Sequence, residues 1–117
     1  MLVTNKEILS TAKAEGYAVG AFNINNLETL LAVGEASVEE RSPAIVAVTP
    51  SAIKYAGLKY LVEMVKTATE SAPVPMSLHL DHGDNVETVS KCVDAGFTSV
   101  MIDGSHLNFE ENISLTK

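Results

Sequence analysis

The stretch Leu78-His79-Leu80-Asp81-His82-Gly83 carries the densest chemistry in the chain. A neutral imidazole can bind a transition metal, and a carboxylate beside it can move protons. Asp81 and His82 can therefore divide those two tasks. Adjacent residues of a regular strand point to opposite faces, so both reach one site only where the chain leaves regular strand geometry. Gly83 supports such an exit. Alternation puts His79 on the same face as Asp81, where it reads as a buried neighbour. Other polar groups follow three further apolar runs: Asn23 with Asn25 and Asn26, then Thr49, then Asp103 with Ser105 and His106.

Each of these residues also has a structural explanation. Asp81 could cap the following helix, although Asp84 and Asn85 compete for that place. Asp103 and Asn23 could finish their strands by accepting from backbone amides. His79 fits a hydrogen-bonded core histidine, and His106 a solvated loop residue. Met64 and Met76 read as core. Cys92 is the single cysteine, so no internal disulfide forms, and its apolar helical surroundings make it a small core residue.

The elements that must position these groups follow from periodicity. Thr4 with Glu7 three residues on predicts a capping box and a first helix, with Ile8, Leu9 and Ala12 as its apolar stripe and Gly16 as its end. Tyr17 to Asn23 predicts a short buried strand. Residues 27–40 predict a helix with Leu27, Leu30, Leu31, Gly34 and Val38 on one side, broken at Ser42-Pro43. The uninterrupted apolar run 44–48 predicts a strand buried on both faces. Residues 50–57 predict a short helix, and 58–70 a long one with Leu61, Val62, Val65 and Ala68 inward. Strands are expected at 76–80 and 98–102, a helix at 86–95, and another helix from Glu110 onward.

Short apolar strands alternating with amphipathic helices imply a parallel sheet in an α/β fold, and residues 1–117 are expected to form one domain. Two architectures fit. A complete (β/α)8 barrel needs roughly 250 residues, so this chain would be its first half; a small doubly wound sheet could be complete at this length. In either one, the C-terminal strand ends share a rim. Four strands then deliver polar groups to the same place.

Composition narrows the function. Among 117 residues, 46% are hydrophobic and 20% charged, as expected for a globular domain. The formal charge of −7, with no tryptophan and no basic cluster, argues against a nucleic-acid partner. No run approaches the ~20 apolar residues that span a bilayer, so no membrane partner is expected. Met1 to Ile8 lacks the basic head and apolar core of a signal peptide, which predicts a cytoplasmic location.

Three segments resemble a known family. Gly20-Ala21-Phe22-Asn23-Ile24-Asn25-Asn26, Leu78-His79-Leu80-Asp81-His82-Gly83 and Ala95-Gly96-Phe97-Thr98-Ser99-Val100-Met101-Ile102-Asp103-Gly104-Ser105 are similar, in order and spacing, to motifs of the class II fructose-bisphosphate and tagatose-bisphosphate aldolases. The Leu-His-Leu-Asp-His-Gly form resembles the subgroup that includes the tagatose enzymes. The resemblance implies a (β/α)8 barrel that uses Zn2+ to split a phosphorylated sugar, a ketose bisphosphate, into dihydroxyacetone phosphate and an aldehyde, commonly glyceraldehyde 3-phosphate. By position, Asp81 matches the catalytic acid/base acting on the C4 hydroxyl, and His82 the first zinc ligand. Asp103 matches a ligand of a second cation position, and Asn23 and Thr49 match substrate-contacting positions. A metal-stabilised enediolate needs no Schiff-base lysine. None of Lys54, Lys59, Lys66 or Lys91 falls at a predicted strand end.

Departures from the pattern are mild within the motifs. Thr49 stands where serine is common, Ser51-Ala52 where Gly-Ala is expected, and Asn85-Val86 where Ser-Phe is usual. The family draws two further zinc histidines, a loop glutamate and glycine-rich phosphate loops from its later half. His79 and His106 match none of these. The resemblance therefore implies a chain that binds zinc weakly and does not turn over by itself, and a full-length enzyme that is a homo-oligomer. The competing readings are a complete doubly wound ligand-binding domain and a non-catalytic interaction protein.

Overall fold

A computed structural model describes all 117 residues. Helix α1 (Asn5–Glu15) opens with the expected capping box: Glu7 N–H donates to Thr4 Oγ1 at 3.3 Å and Thr4 N–H donates to Glu7 Oε2 at 2.8 Å. It ends at Gly16, whose φ of 77° suits a residue without a Cβ. The rest alternates: β1 (Gly20–Asn23), α2 (Leu27–Glu39), β2 (Ala44–Val48), α3 (Pro50–Ala56), α4 (Leu58–Glu70), β3 (Met76–Gly83), α5 (Val86–Ala95), β4 (Ser99–Ile102) and α6 (Phe109–Thr116). Side chains of Asn26, Thr49, Asn85 and Asn108 cap α2, α3, α5 and α6. Each satisfies an amide that a helix start leaves unpaired.

The four strands are parallel and lie in the order β1-β2-β3-β4. A doubly wound sheet reverses its strand order at a switch point, and this sheet never does. Strands added always to the same side describe half of a barrel wall instead.

One face of the sheet carries the main core. Ala44, Val46 and Val48 of β2 and Met76, Leu78 and Leu80 of β3 pack against Leu30 of α2, Leu61, Val62 and Val65 of α4 and Cys92 of α5. Each fully buried aliphatic side chain contributes about 1.5–3 kcal/mol. The opposite face carries Ala21, Asn23, Ile45, Ala47, Ser77, His79 and Ser99, by alternation. Helix α1 meets β3 on that side, where Asn5 hydrogen-bonds Ser77.

Three expectations about burial fail, the first at Leu9 of the α1 stripe, which is 45% exposed beside the buried Ile8 and Ala12. Tyr17–Asn23 is not a buried strand: only Gly20–Asn23 is extended, and all four residues are exposed. Strand β1 pairs with β2 alone, so its other edge has no neighbour. The apolar side of α2 is covered only at Leu30, while Leu27, Leu31 and Val38 stay 40–46% exposed. Helix α2 packs on α4 and β2. The central elements behave as expected, and Leu61, Val62 and Val65 are all 2% exposed or less.

Adjacent residues of α4 give a clean contrast. Leu61→Ala should lower unfolding free energy by about 2–5 kcal/mol. Tyr60→Ala, at a side chain 73% exposed, should change it by no more than about 0.5 kcal/mol. Urea denaturation followed by circular dichroism measures both.

Candidate active site at the C-terminal ends of the strands

Strand β3 runs three residues further than periodicity indicates, through Asp81, His82 and Gly83. It does so by a bulge. Leu80 pairs with Val100 and Gly83 with Ile102, so two residues of β3, Asp81 and His82, face one residue of β4. His82 adopts a φ of 55°, a left-handed conformation that costs a residue with a Cβ about 1–3 kcal/mol. The departure from regular geometry thus falls on His82, one residue before the expected exit. It lets Asp81 and His82 approach each other instead of pointing to opposite faces, and His82 Nε2 lies 3.8 Å from Asp81 Oδ1.

Gly83 makes the bulge possible by its size. A Cβ there would fall 2.7 Å from the Met101 carbonyl oxygen and 3.1 Å from Val89. The backbone of β4 can come this close only to glycine. From that closeness comes the bond of Asp103 N–H to Gly83 O at 2.9 Å, which anchors Asp103 beside His82.

The strongest polar contact of the rim follows. His82 Nδ1 and Asp103 Oδ2 are 2.6 Å apart, while Asp103 Oδ1 accepts from Ser105 N–H at 2.9 Å. Hydrogen bonding from Ser105, then that from His82, holds the Asp103 carboxyl well below the usual carboxylate range. The bond to Asp103, reinforced by the charge of Asp81, raises the His82 imidazole above its ordinary value. Both shifts favour ions at neutral pH. The helix-capping explanation for Asp81 does not hold, because Asn85 caps α5 through Thr88 N–H at 2.8 Å. For Asp103 the strand-finishing explanation accounts for one oxygen, and His82 takes the other.

The remaining candidates occupy two further places. Asn23 and Thr49 line a common cleft of about 530 Å³ with Asn25, Thr29, Ser51 and Tyr55. Thr49 Oγ1 accepts from Ala52 N–H at 3.3 Å and lies 2.9 Å from Ser51 Oγ. Asp81, His82 and Asp103 do not line that cleft. His79 is half-buried, with Nδ1 2.9 Å from Ser99 Oγ, and burial pushes its imidazole down against the opposing pull of Asp81. His106 is exposed. Cys92 is buried and its thiol is pushed up by burial, which suits an inert core residue. Tyr55 and Ser99 were not singled out by sequence reasoning. Only the register of the strands reveals that Ser99 stands level with His79.

The donor set fits one corner of a zinc site. A histidine that ligates through Nε2 while a carboxylate holds Nδ1 is a recurrent arrangement, and the exposed His82 has the carboxylate half of it. No group of three or more His, Cys, Asp or Glu side chains in the chain is placed to hold a metal ion.

Parallel β/α units with carboxylate and imidazole groups gathered at the C-terminal strand ends define part of a β/α-barrel. Residues 3–117 match the family described as Fructose-bisphosphate aldolase class-II, and the chain belongs to that family. The Fructose-bisphosphate aldolase of Helicobacter pylori (strain ATCC 700392 / 26695) is 55% identical over 117 residues, covering 99% of this chain and 38% of that protein. The Fructose-bisphosphate aldolase of Thermus caldophilus is 52% identical, covering 100% and 38%. Among solved structures, the YdjI aldolase from Escherichia coli K12 superposes with a TM-score of 0.93 at 32% identity, over 99% of this chain and 45% of that one. The Campylobacter jejuni Fructose-bisphosphate Aldolase superposes with a TM-score of 0.80 at 25% identity, covering 97% and 41%. The chain thus spans about two fifths of the length of the curated relatives it matches, and its four strands are the first half of the aldolase barrel. No helix is long and apolar enough to cross a membrane.

The two strand histidines should titrate in opposite directions. In nuclear magnetic resonance pH titrations, His82 should lose its proton above the ~6.5 of an unperturbed imidazole and His79 below it. Asp103→Asn should bring His82 down and leave His79 unchanged.

Proposed function

We propose that this chain forms the first half of an enzyme that reversibly cleaves a ketose 1,6-bisphosphate, fructose or tagatose, with zinc as its metal. The products are dihydroxyacetone phosphate and glyceraldehyde 3-phosphate. The observation that carries the proposal is the Asp81, His82 and Asp103 cluster at the rim of a chain belonging to the class II aldolase family.

Asp81 is the acid/base. In cleavage its carboxylate takes the proton of the C4 hydroxyl as the C3–C4 bond breaks and the aldehyde departs. In condensation it returns that proton. Its side chain is 28% exposed, which leaves it open to a substrate at the rim. His82 presents Nε2 to the metal while Asp103 fixes the ring through Nδ1. A zinc ion, when bound, supplies Lewis acidity toward the carbonyl and hydroxyl oxygens of the ketose half. Asp103 is also assigned to a second cation, divalent or monovalent, since each of its oxygens keeps a lone pair beyond its present bond. Asn23 and Thr49 contact the substrate from the neighbouring cleft.

A catalytic zinc takes three protein ligands, and this chain offers one imidazole at the rim. We therefore assign turnover to a barrel completed by further strands, acting in the cytoplasm as a homo-oligomer. A chimera tests this. Residues 1–117 replace the matching segment of the Helicobacter pylori relative, and coupled assays follow fructose and tagatose bisphosphate cleavage. The chimera should cleave in an EDTA-sensitive manner, and the 117 residues alone should not. Asp81→Asn should lower kcat by about 10²–10⁴-fold with zinc content unchanged. EDTA-sensitive cleavage by the isolated chain would sink the completed-barrel assignment. A zinc-loaded Asp81→Asn chimera at full rate would remove Asp81 from its role.

A further inference from the structure

The face of the sheet opposite the helices carries an unusual row. Asn23 pairs with Ala47, Ala47 with His79 and His79 with Ser99, so these four residues stand at one level on adjacent strands. In a closed barrel this face is the interior, where branched aliphatic side chains usually fill each layer. Here three of four are polar and the fourth is alanine. Asp81 stands one step above His79 on the same face, about 6.6 Å along the strand.

Asp81 is in an awkward position. His82 Nε2 has no hydrogen-bond partner in the chain, and a carboxylate this near would ordinarily close on it. Yet Asp81 Oδ1 stops 3.8 Å from His82 Nε2, outside hydrogen-bonding range. If the pair closed, the nitrogen assigned to the metal and the carboxylate assigned to the proton would occupy each other. No side-chain hydrogen bond within the chain holds Asp81 back. Its neighbour on the same face is His79, a half-buried ring that cannot swing freely because Ser99 Oγ on β4 pins its Nδ1 at 2.9 Å.

We propose that His79, seated by Ser99, is a positioning residue that keeps the Asp81 carboxylate apart from His82 Nε2. The ring fills the space below Asp81 and restricts its χ1, so that proton transfer and metal ligation stay on separate groups. The role deepens the aldolase reading and, for its effect on turnover, rests on it.

Two measurements test it. In the isolated chain, three-bond couplings report the Asp81 χ1 rotamer. They should show one rotamer with His79 present, and averaging or a new rotamer in His79→Ala. Ser99→Ala should give a smaller change of the same kind. His79→Asn, which keeps a hydrogen-bonding group beside Ser99, should recover part of the original value. An unchanged Asp81 rotamer in folded His79→Ala overturns the proposal, and so does His79→Asn behaving no better than alanine. In the chimera, His79→Ala should lower kcat about ten- to hundredfold with KM within about twofold, the cost of a slightly misplaced catalytic group. Zinc content should not fall. An unchanged kcat, or a loss that follows zinc, overturns the proposal. A chimera that fails to cleave before any substitution overturns the aldolase reading instead, and the rotamer measurement still decides the role of His79.

Discussion

The rim depends on one crowded backbone contact, that of Gly83 with the Met101 carbonyl. Glycine at 83 lets β4 lie this close, and there β3 takes an extra residue and turns His82 into the left-handed region. The rest of the cluster follows from that turn. Asp81 and His82 come to one side, Gly83 accepts from the Asp103 amide, and the Asp103 carboxylate reaches Nδ1. The energy that the left-handed histidine stores is offset by the bond it gains with a carboxylate held in place from two directions. A functional group fixed by its backbone needs little reorganisation when a ligand arrives.

Much of this was legible in the residues. The capping box of α1, the uninterrupted apolar β2 and the inward stripe of α4 are local patterns, and local physics decides them. The association of Asp81, His82 and Asp103 with strand ends was legible for the same reason. The bulge was not. Its cause lies in the distance between two strands that are separated in sequence by a whole helix, and a one-residue register shift leaves no periodic signal. Sequence marked the place through Gly83 and missed which residue would bend.

Errors about burial have a single origin. Periodicity reports which side of an element is apolar, and says nothing of whether a neighbour exists to cover it. Leu27, Leu31 and Val38 have the right spacing for an inward stripe, and Gly20–Asn23 the right composition for a core strand. Both belong to the end of the layer, where the wall stops.

The strict succession of strands has a bearing on how the molecule is made. Each of β2, β3 and β4 finds its partner in the strand just synthesised, one helix away for β2 and β4 and two for β3, so the wall can grow from the ribosome in order of emergence. One contact breaks that sequence. The amino-terminal segment bonds Met76, with Val3 N–H donating to its carbonyl and Met1 O accepting from its amide. The segment before α1 must therefore wait for the third strand before it can settle, and until then α1 has no floor to rest on.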